Sequence, residues 1–174
     1  EPLPWSQKAP KSKFLGDKTK QAHIAIGFPV AQGPEKEIYA SKVMDVALGG
    51  NMSSRLFEEL REKNGLCYDI SSSFKRHSDA AEMVIHAGVD VRKAVVTSAA
   101  IIDQLLLLRD VGITAEELGR VKEYMKGQFM LTMERTSARM LWLGDKFMLD
   151  KKIPSSEEVL DLYESVTLDD VKNA

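Results

Sequence analysis

Two side chains seven positions apart, Arg61 and Tyr68, offer the most specific chemistry in this chain. An arginine guanidinium is a planar fork of donors that can grip an oxygen acceptor through two bonds. A tyrosine hydroxyl is a neutral O–H donor. Aimed at one spot, the two could grip one oxygen acceptor. Phe57 stands four positions before Arg61, close enough on a helix to line the same wall as a substrate side-chain pocket. Each residue also has a plainer use. Arg61 can offset the negative end of a helix, Tyr68 can pack on an apolar strand face with Leu66 and Ile70, and Phe57 can fill a core.

The stretch that must position them is LGGNMSSRLFEELREKNGLCYDISSSF, residues 48–74. Ser53 or Ser54 can cap a short helix running through Lys63. Asn64-Gly65 ends it, Gly65 being the residue suited to a left-handed turn. From Leu66 the period becomes two, with Leu66, Tyr68, Ile70 and Phe74 on one face and Cys67, Asp69, Ser71 and Ser73 on the other. Asn51 stands after Gly49-Gly50, and asparagine also tolerates positive φ.

Around this stretch the pattern is regular. Gln21 to Phe28 alternates as a strand, with Ala22, Ile24, Ile26 and Phe28 on one side. Glu37 to Leu48 has helical spacing and stops at Gly49-Gly50. Ala81 to Val89 is a strand antiparallel to the one before it. Asp90 caps a long helix whose apolar stripe is Val91, Ala94, Val95, Ser98, Ala99, Ile102, Leu105 and Leu106. Thr114-x-x-Glu117 is a capping box, and its helix runs toward Leu149 with a break near Thr136-Ser137. Ser155-x-x-Glu158 caps a last short helix, and Thr167-x-x-Asp170 opens one that is cut short. This order predicts an α+β fold of two layers, a mixed sheet with helices packed on one face.

Composition excludes several functions. Net charge is −2, from 24 basic and 26 acidic residues, which disfavours a nucleic-acid surface. One cysteine cannot form an internal disulfide. No apolar run approaches the ~18 residues that span a bilayer. His23, His77 and His86 lack a second histidine at the helical spacing that metal motifs use, and Cys67 has no paired histidine in sequence. No phosphate loop or nucleophile elbow is present. Residues 1–20, with Pro2, Pro4 and Pro10, read as an interdomain linker, and 21–174 as one domain shortened at its C-terminus. The chain therefore lacks complete catalytic machinery of its own, and any catalytic part it has must be lent to a site built elsewhere.

The 48–74 stretch resembles the second-half signature of the pitrilysin-type (M16) zinc metallopeptidases, in their bacterial mitochondrial-processing-peptidase-like branch. Leu48-Gly49-Gly50-Asn51-Met52-Ser53-Ser54-Arg55-Leu56-Phe57 and Leu60-Arg61-Glu62-Lys63-Asn64-Gly65-Leu66-Cys67-Tyr68 follow that pattern, with Asn51 in place of a third glycine. TKQAHIAIGF and GITAEELGRVKEYMKGQFMLTMERTSARMLWLG resemble further segments of the same half. The resemblance implies an M16 half domain of the LuxS/MPP-like kind. It implies that zinc belongs to an N-terminal half carrying His-x-x-Glu-His, and that this half holds no metal or cofactor. Arg61 and Tyr68 would be its catalytic and substrate-binding residues, with Phe57 beside them. Peptides would be the substrate, the N-terminal half the partner, and the bacterial cytoplasm the location. The family's assemblies include homodimers. A catalytically dead scaffold of the same fold, or peptide binding along a sheet edge, are the rival readings.

Overall fold

The computed structural model describes residues 13, 20–30, 33–77 and 79–174. The linker assigned to residues 1–20 lies outside these, apart from Lys13 and Lys20. Three strands, β1 (Gln21–Val30), β2 (Asp69–Arg76) and β3 (Ala81–Asp90), form one sheet in the order β1-β3-β2. Both pairings are antiparallel, so the α+β class holds while the expected mixed sheet is antiparallel among the described residues. Hairpin closure between β2 and β3 explains one pairing. β1 joins the free side of β3, placing Ile26 opposite Ile85 and Phe28 opposite Met83. Period-two alternation then puts Met83, Ile85, Ala87 and Val89 on one buried face with Ile70.

Helices cover that face: α1 (Glu35–Leu48), α2 (Ala94–Val111), α3 (Ala115–Glu134), α4 (Thr136–Asp150), α5 (Ser156–Ser165) and α6 (Leu168–Asn173). The core joins Tyr39, Val43 and Leu48 of α1, Ile101 of α2, Val121, Met125 and Phe129 of α3, and Val159 and Tyr163 of α5. His23 and His86 lie on the opposite, exposed face of the sheet. Thr114, Ser155 and Thr167 each make the reciprocal capping box that their spacing predicts. The break between α3 and α4 falls at Arg135, where φ −88° and ψ 116° leave the helix.

The expected stripe of α2 is corrected. Thr97, Ile101 and Leu108 are the buried positions, while Val95 is 84% exposed and Ile102 and Leu106 are also exposed. This helix is apolar on nearly every side, so its period identifies a helix without fixing which face turns inward. A hydrogen bond supplies part of the orientation: fully buried Thr97 donates from Oγ1 to the Leu66 carbonyl, at 3.4 Å.

Candidate functional site

The stretch begins where α1 meets β2. The Gly49 N–H donates to the Asp45 carbonyl at 2.9 Å, and the Gly49 carbonyl accepts from the Ser72 N–H at 3.2 Å. Ser72 also donates from Oγ to the Asp45 carbonyl at 2.9 Å. A Cβ on Gly49 would lie 2.6 Å from the Ser72 nitrogen, so the glycine lets the helix end touch the strand backbone.

Asn51 works through its side chain rather than through positive φ, since Lys151 is the one non-glycine residue with positive φ among those described. Its Oδ1 accepts from the Ser53 N–H at 2.8 Å, an Asx turn. Neither serine caps the following helix with its side chain: the Ser54 hydroxyl instead donates to the Asn51 carbonyl at 2.6 Å. Arg55 is structural. Nε and Nη2 grip the two Glu117 carboxylate oxygens at 2.6 and 2.8 Å, and Nη2 also donates to the Gly112 carbonyl at 2.8 Å. That fork fastens the start of the short helix to the start of α3. It also holds the Glu117 carboxyl down to about 2, the Arg55 hydrogen bond being the largest cause.

The segment Phe57–Lys63 is π-wound, not the α-helix that its spacing predicts. Such wider turns are rare and recur at functional sites. Its interior face buries Leu60, and its outer face carries Arg61, whose guanidinium carbon stands 4.7 Å from the Phe57 ring centroid. The structure thus brings Phe57 and Arg61 together. Gly65 has φ +55° and turns the chain, as expected. The Leu66 N–H donates to the Leu60 carbonyl at 2.7 Å, spanning one residue more than the usual glycine helix stop. The wider winding accounts for the extra residue.

Tyr68 is corrected in its placement. The strand starts at Asp69, so the alternation expected from Leu66 has not begun at Tyr68. Cys67 is buried and Tyr68 is 56% exposed, the reverse of the expected faces, while Ile70 remains in the core. The plainer reading of Tyr68 as a residue packed beside Ile70 is therefore removed. Its backbone is fixed, the N–H donating to the Gly88 carbonyl at 2.8 Å. Burial pushes the Cys67 thiol up, against a nucleophilic role, with the Asp69 charge adding to the rise and Arg61 and Lys93 opposing it.

Arg61 and Tyr68 therefore stand exposed on either side of the turn at Asn64–Cys67, with no hydrogen bond joining them. The groove of about 380 Å³ between α1 and α3 is lined by Asn51, Glu117, Arg120 and Tyr124 and includes neither of them. Sequence reasoning missed the supports of this turn: Lys93, whose Nζ donates to the Gly65 carbonyl at 2.7 Å, and Thr97 on the Leu66 carbonyl. Nothing in the local pattern links positions about thirty apart. Among the described residues no three His, Cys, Asp or Glu side chains cluster closely enough to hold a metal ion, so these residues do not fit a zinc site. Nor is any described helix long and apolar enough to cross a membrane.

Comparison with known proteins agrees with this architecture. A Bacillus subtilis protein described as an uncharacterized zinc protease is 35% identical over 153 residues, 88% of this chain and 37% of that protein. An uncharacterized zinc protease of Streptomyces coelicolor is 33% identical over 164 residues, 94% of this chain and 36% of that one. The chain thus spans little more than a third of these relatives. Among solved structures, a protease from Helicobacter pylori superposes with a TM-score of 0.79 at 21% identity, covering 91% of this chain and 38% of that one. A peptidase M16 inactive domain from Pseudomonas fluorescens gives 0.78 at 20% identity, covering 89% and 37%. The family model described as the peptidase M16 inactive domain matches residues 1–125, and the chain belongs to that family.

Proposed function

We propose that this domain supplies an oxyanion donor, Tyr68, and a substrate-gripping fork, Arg61, to the active site of a longer zinc-dependent endopeptidase. The observation that carries this is the exposure of both side chains beside one turn whose backbone is pinned at Gly65, Leu66 and Tyr68. Neither is spent on the core. The Tyr68 hydroxyl donates to the carbonyl oxygen of the scissile peptide, and the Arg61 fork holds the neighbouring backbone while Phe57 stiffens the guanidinium from behind. Donors set where charge develops are worth roughly 3–4 kcal/mol each. The metal belongs to an N-terminal half of the same polypeptide, which is the domain's partner. Peptides or unfolded segments enclosed between the halves are the substrate, and the isolated domain is inactive. We place the protein in the processing-peptidase-like branch and in the bacterial cytoplasm, where the longer chain can pair as a homodimer.

The test is kinetic. In the longer protein, Tyr68→Phe lowers turnover by ~10²–10³ with zinc content unchanged. Arg61→Lys is also damaging, because a point charge does not replace a planar fork. Peptide cleavage at the native rate in both variants would refute the proposal and leave the domain a scaffold.

A further inference from the structure

The turn between Arg61 and Tyr68 is held from outside the motif, by the junction of β3 and α2. Lys93 reaches across 28 positions to donate from Nζ to the Gly65 carbonyl at 2.7 Å. One helical turn further on, Thr97 donates to the next carbonyl, Leu66, at 3.4 Å. The same junction holds Tyr68 directly, through the Gly88 carbonyl that accepts its N–H at 2.8 Å. Lys93 is itself fixed. It closes a 3-10 turn, Val91–Lys93, that Asp90 caps by accepting the Arg92 N–H at 2.8 Å, and the Arg92 guanidinium binds the same carboxylate. Lys93 and Thr97 therefore hold the turn, and Gly88 the start of the strand, all from one junction outside the motif.

We infer that Lys93 is a positioning residue: by holding the Gly65 carbonyl it sets the direction of Arg61 relative to Tyr68. Gly65 has positive φ and no side chain, so only hydrogen bonds resist its rotation: the Leu66 N–H on the Leu60 carbonyl at 2.7 Å and the Gly65 N–H on the Arg61 carbonyl at 3.1 Å within the turn, and Lys93 from outside it. Rotation of that peptide swings the end of the π-wound segment, which carries Arg61, against Tyr68, which remains tied to Gly88. An ammonium-to-carbonyl bond is the strong kind of restraint such a hinge needs. Lys93 is exposed and lies outside the core, so it can be changed without emptying a packed site.

This rests on the reading of Arg61 and Tyr68 as substrate donors, and the experiment separates the two claims. Amide hydrogen exchange at Leu66 and Tyr68 is measured in this chain with Lys93→Met and Lys93→Arg. Peptide turnover is measured in the longer protein with the same changes, alone and combined with Arg61→Ala/Tyr68→Phe. Lys93→Met is expected to speed exchange at Leu66 and to lower kcat about tenfold with KM within about twofold, while Lys93→Arg restores both. In the Arg61→Ala/Tyr68→Phe background, Lys93→Met should have no further effect on turnover, because its partners are already gone. An equal fall in both backgrounds, or unchanged exchange and kcat in a protein that Tyr68→Phe cripples, overturns the positioning role. If Tyr68→Phe and Arg61→Ala leave turnover intact while exchange still responds, the donor reading fails. Lys93 is then only a structural clamp, which also overturns the inference.

Discussion

Replacing Arg55 by alanine should destabilise this chain by about 2–3 kcal/mol at pH 7, through electrostatics rather than lost packing. The fork binds both Glu117 oxygens and the Gly112 carbonyl, with side chains only 15% and 17% exposed. Removing it strands a carboxylate in a mostly dry site and leaves a carbonyl without that donor, a change that costs roughly 3–5 kcal/mol when a pair is fully buried. Residual solvent lowers that figure here. The acidity of Glu117 gives a second route to the magnitude. Its carboxyl is held at about 2 instead of 4.5, chiefly by Arg55 with the Thr114 hydrogen bonds adding, and each tenfold gain in acidity corresponds to ~1.4 kcal/mol, giving ~3 kcal/mol for all causes together before solvent screening, of which Arg55 supplies the largest part. The sign follows from a folded-state value below the unfolded one. The stabilisation is present above about pH 4.5 and drains away as pH falls through about 2, below which both states bind the proton. Arg55→Ala should therefore show its full penalty at pH 7 and a penalty of about 1 kcal/mol or less at pH 3. Arg55→Lys should fall between, because one ammonium cannot cover both oxygens and the carbonyl. Urea unfolding followed by circular dichroism at the two pH values measures this. A loss under about 0.5 kcal/mol at pH 7, or the same loss at both, would refute the reasoning.

Two further changes probe the frame around the site. Gly49→Ala forces a methyl to within 2.6 Å of the Ser72 nitrogen, which is backbone and cannot step aside, so it should cost about 1–3 kcal/mol in the same unfolding assay. A neutral result would mean that the end of α1 is not packed on β2 as described. Tyr68→Phe should leave the stability of this chain within about 0.5 kcal/mol, since the ring is half in solvent and the hydroxyl bonds to no other side chain among the described residues. A larger loss would assign Tyr68 to packing.

The fold is readable wherever local chemistry decides structure. Thr114, Ser155 and Thr167, each with an acid three residues on, mark helix starts because the caps are satisfied within four residues. Gly65 marks a turn because a left-handed φ is costly for other residues. Period two in β1 identifies its inward face, since one side of the sheet meets helices and the other meets solvent. What fails is decided by distant contacts. The burying face of α2 depends on a sheet and on a carbonyl more than thirty positions away, and its own residues are apolar around most of the helix. The faces of Cys67 and Tyr68 are reversed because the strand starts later than the alternation suggests. The π winding of Phe57–Lys63 has no local signature, and neither does the grip of Lys93 on Gly65. The candidate residues are thus nameable from the sequence, and their arrangement is visible only in the folded chain.

The most direct test is a structure of the longer protein closed on an uncleaved peptide. The Tyr68 hydroxyl and the Arg61 guanidinium should lie within hydrogen-bond reach, about 3 Å, of carbonyl oxygens at or beside the scissile bond. Both side chains pointing to bulk solvent in that closed state, more than about 8 Å from the peptide backbone, would contradict it, since neither a direct nor a single water-bridged bond spans that gap.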